Sequence, residues 1–122
     1  MIIIYYVLVL AAFALGALPL AILAFKKKYR ASIPARFFLF KNPKFDASRV
    51  HFHACSFGEV RSIAPLVSRF KDAAAVSVVT KTGFDEAKKI TQNTRFLPFE
   101  IFLPFWLKPA KITVIFEAEL WL

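Results

Sequence analysis

Residues 50–91 read VHFHACSFGEVRSIAPLVSRFKDAAAVSVVTKTGFDEAKKIT, and this stretch decides the fold class. Residues 50–55 and 76–80 are short apolar runs typical of strands, whereas residues 59–71 and 84–91 carry apolar side chains at helical spacing. Strands that alternate with helices predict an α/β fold with a parallel sheet and right-handed crossovers.

The same alternation continues towards the carboxyl end. Residues 95–98 predict a third short strand, residues 101–107 a short helix, and residues 112–116 (ITVIF) a further apolar strand. Only six residues follow that last strand, whereas a sheet of this kind normally continues. We therefore expect residues 50–122 to be a truncated domain, and the chain to be a fragment of a larger protein.

Residues 1–25 (MIIIYYVLVLAAFALGALPLAILAF) contain no charged side chain. At about 1.5 Å per residue, a helix of this length exceeds the roughly 30 Å hydrocarbon core of a bilayer. This predicts a transmembrane anchor. A cleaved signal peptide is the alternative, but it would have basic residues before the apolar run, and here they follow it.

Positive charge is concentrated directly after the apolar run. Residues 26–49 carry eight basic residues and one acidic residue, which is +7 of the net charge of +9. Basic residues beside a membrane span attract anionic lipid headgroups, so a lipid surface is a better match here than nucleic acid. Because positive flanks stay on the cytoplasmic side, the same residues predict that the rest of the chain lies in the cytoplasm. The basic side chains that we expect at lipid phosphates or the membrane surface are Lys26, Lys27, Lys28, Arg30 and Arg36.

Three smaller features also bear on function, and two of them leave alternatives open. The aromatic run at residues 37–40 (FFLF) suits either the membrane interface or packing beneath the following domain. Cys55 is the sole cysteine, which excludes a disulfide within the chain and agrees with a reducing compartment. His51 and His53 lie on one face of a predicted strand, where they form either a metal pair or a hydrogen-bonded pair.

Three turns follow predicted strands, at residues 56–59, 80–83 and 117–121. Ligands of open α/β sheets bind outside the carboxyl ends of the strands, so we expect these turns to form one site. Glu59 is the candidate general base of that site. However, residues 56–59 also fit the S-x-x-E capping box, in which the glutamate satisfies a backbone amide.

The other two turns give weaker signals. Residues 80–83 (TKTG) form a strand-to-helix turn whose amides suit a phosphate or a sugar. Glu117 and Glu119 flank Ala118 at a strand end, a pattern slightly more typical of a site than of a solvated loop.

In this order, the turns resemble motifs of the 3-deoxy-D-manno-octulosonic acid (Kdo) transferases. Residues 53–59 (HACSFGE) are similar to the family's H-A-x-S-x-G-E motif, and residues 117–121 (EAELW) to its E-x-E-L-W motif. Residues 79–83 (VTKTG) and 97–99 (LPF) resemble its T-x-x-G turn and L-P-Y/F element. The resemblance covers essentially the whole chain, but the Pro-Asn that usually follows the tryptophan is absent.

The resemblance implies a bacterial inner-membrane glycosyltransferase with two Rossmann-like domains in the GT-B arrangement. Such enzymes transfer Kdo from CMP-Kdo to the lipid A precursor at the cytoplasmic face, with inversion and without a required metal or cofactor. Carried onto this chain, Glu59 is the general base, Glu117 and Glu119 are supporting acids, and the acceptor cleft is lined by Ser56, Gly58, Thr82 and Gly83.

Because the resemblance assigns CMP-Kdo to a carboxy-terminal domain, we expect the 122 residues to be inactive alone. Two other functions remain open. One is a non-catalytic, membrane-tethered α/β binding module, and the other is a membrane-tethered transferase of the same architecture with another donor.

Overall fold

The computed structural model describes residues 1–43, 45, 50–106 and 110–116. It contains five α-helices and four strands in this part of the chain. In chain order they are α1 (Ile2–Leu23), α2 (Ser32–Phe38), β1 (Val50–His53), α3 (Phe57–Phe70), β2 (Ala74–Val78), α4 (Lys81–Lys88), β3 (Thr94–Phe96), α5 (Leu103–Trp106) and β4 (Ile112–Ile115). Short 3₁₀ turns cover Lys71–Ala73 and Glu100–Phe102.

The four strands form one parallel sheet in the order β3-β2-β1-β4. Val50 of β1 is paired with Ala74 on one side and with Ile112 on the other. The predicted α/β class with a parallel sheet is therefore confirmed, and the fold is consistent with part of a Rossmann-like domain.

Two helices begin earlier than the apolar spacing predicted. Helix α3 begins at Phe57 and α4 at Lys81, so residues expected in turns belong to first helical turns. Ser56 and Thr80 are extended residues that directly precede these helices. The capping residue sets where a helix begins, whereas the first apolar side chain only marks where it meets the core.

The main core lies between the sheet and helices α3 and α4. Phe52, Val76 and Val78 are buried on this face of the sheet, against Val60 and Val67 of α3. Side chains alternate along a strand, so His51, Ala75 and Ser77 belong to the opposite face. There a second cluster contains Phe45, Ala75 and Trp106, all of them buried.

The basic connector contains helix α2, which packs onto the edge of the sheet at β3. The buried Asn42 amide donates to the carbonyls of Ala35 and Phe96, and its oxygen accepts from the Phe96 amide. The aromatic run at residues 37–40 is divided. Phe37 packs on Phe99 with ring centroids 5.2 Å apart, whereas Phe38 and Phe40 are 44% and 61% exposed.

Helix α1 is long and apolar enough to cross a membrane, and none of its side chains is buried. Pro19 lies within it without ending it. It contacts α2, the turn at Glu100–Phe102 and, through Phe13, the ring of Phe99.

Candidate functional site

The carboxyl ends of β1 and β2 are joined into one edge. The Ala54 amide donates to the Ser77 carbonyl at 3.1 Å. The Cys55 carbonyl accepts from the amides of Val79 and Thr80 at 3.1 and 3.2 Å, and from the Thr80 hydroxyl at 3.3 Å. The turns after these two strands therefore lie together, as predicted. The third predicted turn, with Glu117 and Glu119, lies outside the described residues.

Glu59 lies in the first turn of α3, and its half-buried carboxylate points back at the end of β1. One oxygen, Oε2, accepts from the Cys55 amide at 2.5 Å, and the other, Oε1, accepts from the Ser56 hydroxyl at 3.2 Å. This is a variant of the capping box, because the bonded amide precedes the N-cap residue and Ser56 donates to the carboxylate. The two bonds hold the carboxylate in one orientation at the edge of the sheet.

The two predicted glycines of the site have different surroundings. Gly83 is buried, and a Cβ there would lie 3.0 Å from the Thr80 hydroxyl oxygen and 3.2 Å from the Ser56 carbonyl carbon. Its amide donates to the Thr80 hydroxyl at 3.1 Å, so this amide is used within the protein. Gly58 is exposed with open space around it, and Thr82 is exposed beside Thr80. Gly83 thus lets the two turns approach each other.

A cavity of about 520 Å³ lies between the connector and the turn after β2. One wall is formed by Leu23, Tyr29, Ser32 and Ile33, and another by Val79, Thr80 and Thr82. Four cationic side chains complete the lining, and no carboxylate belongs to it: Lys26, Lys28, Arg36 and Lys81. Such a lining favours an anionic ligand with an apolar portion.

Arg36 connects this cavity to the interior of the domain. Its Nε donates to the Leu97 carbonyl at 2.9 Å. Burial lowers the pKa of Arg36, and the nearby Cys55 thiol acts against that shift. The guanidinium is thus a partly desolvated cation without a salt bridge to any described carboxylate. A cation in that state gains strongly from an incoming anion.

The remaining predicted cations lie elsewhere. Lys27 is exposed and does not line the cavity. Arg30 lines a second cavity of about 370 Å³ together with Lys41, Lys88 and Arg95. Desolvation and the neighbouring Arg95 lower the pKa of Lys88, so this second group is also rich in positive charge.

Close to this edge of the sheet, the buried Ser77 hydroxyl lies within hydrogen-bond distance of two histidines. The Ser77 Oγ lies 2.7 Å from Nε2 of His51 and 2.9 Å from Nδ1 of His53. His53 Nε2 lies 3.5 Å from the Cys55 thiol. A hydroxyl carries one hydrogen, so Ser77 donates to at most one of the two imidazoles and accepts from at least one of them. The histidines therefore form the hydrogen-bonded pair that was one of the two interpretations of their spacing.

Burial disfavours the charged form of both imidazoles. Burial lowers the pKa of His51 to about 4, with the neighbouring His53 as a lesser cause. Burial also lowers the pKa of His53, against the opposing effects of its bond to Ser77 and of the Glu59 carboxylate. Within the described ranges, no three His, Cys, Asp or Glu side chains form a group that could hold a metal ion.

One residue of this region was not predicted from the sequence, and another makes a contact that was not predicted. Ser77 is a polar residue in the middle of an otherwise apolar strand (AAVSV), a signal that could have suggested a buried partner. Arg36 was expected at lipid phosphates or the membrane surface, and the structure adds a bond to the carbonyl of Leu97, 61 positions away. Nothing local in the sequence encodes that contact.

Comparison with known proteins gives one match. The family model described as 3-deoxy-D-manno-octulosonic-acid transferase (kdotransferase) matches residues 31–122, which is three quarters of the chain. The matched region includes α2, all four strands and the Glu59 turn, and it excludes α1. No curated protein and no solved structure matches the chain.

Proposed function

The chain belongs to the 3-deoxy-D-manno-octulosonic-acid (Kdo) transferase family, and we propose that it provides the lipid-acceptor site of a glycosyl transfer. Family membership implies a glycosyltransferase of lipopolysaccharide biosynthesis. In the proposed reaction, Kdo passes from CMP-Kdo to a lipid A precursor with inversion at the anomeric carbon. The donor would bind to a second Rossmann-like domain of a GT-B arrangement.

Glu59 is the proposed general base. An acceptor hydroxyl that attacks the anomeric carbon must lose its proton, and a carboxylate within hydrogen-bond reach can take it. As the new C–O bond forms, the bond from the anomeric carbon to the phosphate oxygen breaks and CMP leaves. The observation that carries this proposal is the location of the Glu59 carboxylate, at the carboxyl edge of the sheet and joined through Cys55 to the wall of a cationic cavity.

The cationic cavity is the proposed site of a phosphate group of the acceptor. Lys26, Lys28, Arg36 and Lys81 supply positive charge without a lining carboxylate, and Leu23 and Ile33 supply an apolar wall. We propose that the rest of the acceptor cleft involves Ser56, Gly58, Thr82 and Gly83, with Glu117 and Glu119 as supporting acids. Lys27 and Arg30 are proposed to contact anionic headgroups.

Residues 1–25 are proposed as a single-pass anchor in a bacterial inner membrane, residues 26–49 as the juxtamembrane connector, and residues 50–122 as the acceptor domain. The length and apolarity of α1 support this division. The basic residues after α1 support a cytoplasmic location of the domain, because positive flanks remain on that side.

Acceptor binding tests the proposal directly. The full chain in mild detergent is titrated with a bisphosphorylated lipid A precursor and, in parallel, with the same lipid after removal of its phosphates. We expect clearly tighter binding of the phosphorylated lipid, because the cavity offers four cations. Equal affinity for the two lipids would contradict an acceptor phosphate in this cavity.

The role of Glu59 requires a transfer assay. Residues 1–122 replace the corresponding segment of an active Kdo transferase, and Kdo incorporation from CMP-Kdo is measured. We expect Glu59→Gln to lower kcat by about 10²–10⁴-fold with little change in acceptor affinity. The control is Glu86→Gln, because Glu86 of α4 is paired with Lys89 just after the helix and lies outside the proposed site. A Glu59→Gln chimera with the parent rate would exclude the base.

A non-catalytic binding module remains the second candidate function. The observation in its favour is that both Glu59 oxygens already accept hydrogen bonds, as a purely structural cap would. On that hypothesis Glu59→Gln leaves the chimera's rate unchanged and affects only stability. The two hypotheses thus predict opposite results from the same variant.

A further inference from the structure

We propose that the domain inserts an aromatic wedge into the membrane beside α1, so that the bilayer contacts the α/β domain as well as the anchor. The wedge consists of Phe37 and Phe38 of the connector, which pack on the domain, together with Phe99, Phe102 and Phe105 of the domain itself. Its partner is the acyl-chain region of one leaflet. The inference rests on the proposed membrane location of α1 and adds a second surface to it.

The first observation is where α1 meets the domain. Phe13, near the middle of the helix, stacks on Phe99 with ring centroids 5.7 Å apart and an interplanar angle of 22°. The same ring lies 6.0 Å from that of Phe102 in an edge-to-face arrangement and 6.1 Å from that of Phe38. One side chain of the candidate span thus contacts two rings of the domain and one ring of the connector.

The second observation is the depth that these contacts impose. At about 1.5 Å per residue, Phe13 lies roughly 15 Å along the helix axis from Leu23, which is about half of the hydrocarbon thickness. A tilt of about 40° still leaves more than about 10 Å. Rings in contact with Phe13 are then below the headgroups as well.

A flat orientation of α1 at the surface does not remove this consequence. Residues 2–23 have no charged side chain, and Tyr5 and Tyr6 are their only polar ones, so the helix has no polar face to present to water. Its side chains are unburied in the protein throughout. The helix therefore belongs in hydrocarbon, together with the rings that it contacts.

The third observation is the character of the wedge itself. Phe38 and Phe105 are 44% and 47% exposed, and Phe105 extends the ring contacts outward from Phe102 at 6.1 Å. Residues 101–107 (IFLPFWL) contain no charge. Exposed aromatic side chains that continue the surface of an apolar helix match acyl chains rather than water. The exposed Lys26 and Lys28 follow α1 and suit the headgroup level above the wedge.

Depth-dependent quenching tests the wedge in the full chain reconstituted into vesicles. Single cysteines are introduced in a Cys55→Ala background and labelled with a small fluorophore. The wedge is probed by two variants, Phe105→Cys and Phe38→Cys. The anchor is probed by Leu15→Cys, at a position in α1 that is 82% exposed. The control is Ser68→Cys, on an exposed face of α3. The quenchers are lipids with a spin label near the middle of the acyl chain.

We expect the wedge labels and the anchor label to lose most of their fluorescence, and the label at residue 68 to retain it. Two wedge positions are used so that one poorly folded variant does not decide the result. If the anchor label is quenched while both wedge labels behave like the control, the wedge is wrong and the anchor stands. If the anchor label also escapes quenching, the membrane location of α1 and the wedge are wrong together.

Discussion

The Glu59 carboxylate lies 2.5 Å from the backbone nitrogen of Cys55, so the residue proposed as the base also joins the start of α3 to the end of β1. The Cys55 carbonyl in turn accepts from the turn after β2. Orientation of the carboxylate and cohesion of the two turns therefore depend on the same few bonds. Stability and transfer must be measured separately for any change in this region.

Replacement of Glu59 should separate these two roles. We expect Glu59→Ala to lower the free energy of unfolding by about 0.5–2 kcal/mol, because the Cys55 amide loses its partner at a helix start. Glu59→Gln should cost less, since its carbonyl oxygen can still accept that bond. Urea denaturation in mild detergent, followed by circular dichroism, measures both values. Equal losses for the two variants would show that the amide bond is not what stabilises the turn.

The two glycines of the site form a matched pair. Gly83→Ala places a methyl group 3.0 Å from the Thr80 oxygen and 3.2 Å from the Ser56 carbonyl carbon, so we expect a loss of about 1–3 kcal/mol in unfolding free energy. Gly58→Ala meets open space in a helical turn and should stabilise the protein by about 0.5–1 kcal/mol. Thermal unfolding of both variants checks the opposite signs. Similar shifts for the two would mean that the close approach at Gly83 is relieved by movement of the turns.

Variants of Lys81 and Lys89 should distinguish lipid binding in the cavity from a general effect of positive charge. Each forms an ion pair within α4 or at its end, with Asp85 and Glu86 respectively, but only Lys81 lines the cationic cavity. We expect Lys81→Ala to weaken binding of the bisphosphorylated lipid roughly five-fold, from a contact of about 1 kcal/mol. Lys89→Ala should leave that affinity unchanged. Isothermal titration calorimetry of each variant with the lipid measures both affinities. An equal loss of lipid affinity in the two variants would indicate a nonspecific charge effect.

His51 predicts a specific pH dependence of stability. Because burial lowers the pKa of His51 from 6.5 to about 4, the unfolded chain binds this proton before the folded protein does. The contribution of neutral His51 to the free energy of unfolding is therefore complete above pH 6.5. It decreases by at most about 3 kcal/mol as the pH falls towards 4. The lowered pKa of His53 acts in the same direction.

Denaturation of the wild type and of His51→Asn at several pH values measures this dependence. Asparagine does not titrate, so we expect the variant's stability to fall less steeply below pH 6.5. Parallel slopes for the two proteins would mean that other groups, and not His51, set the acid sensitivity.

The sequence by itself determined the order and type of most elements. Apolar periodicity is a local property, and it was enough to predict the strands at residues 50–55, 76–80 and 112–116 and the helices between them. It also determined the apolar length of α1, which is a matter of composition alone. The motifs at residues 53–59 and 117–121 together, in that order, identified the family, because each is short and continuous in the chain.

Only the tertiary structure decided which distant residues share a surface. Arg36 reaches the cavity through a carbonyl 61 residues away, and Ser77 holds two histidines of another strand. Phe13 meets Phe99 across most of the chain. Strand order and the docking of α1 and α2 fix these contacts, and both depend on packing between segments whose local patterns carry no record of their partners.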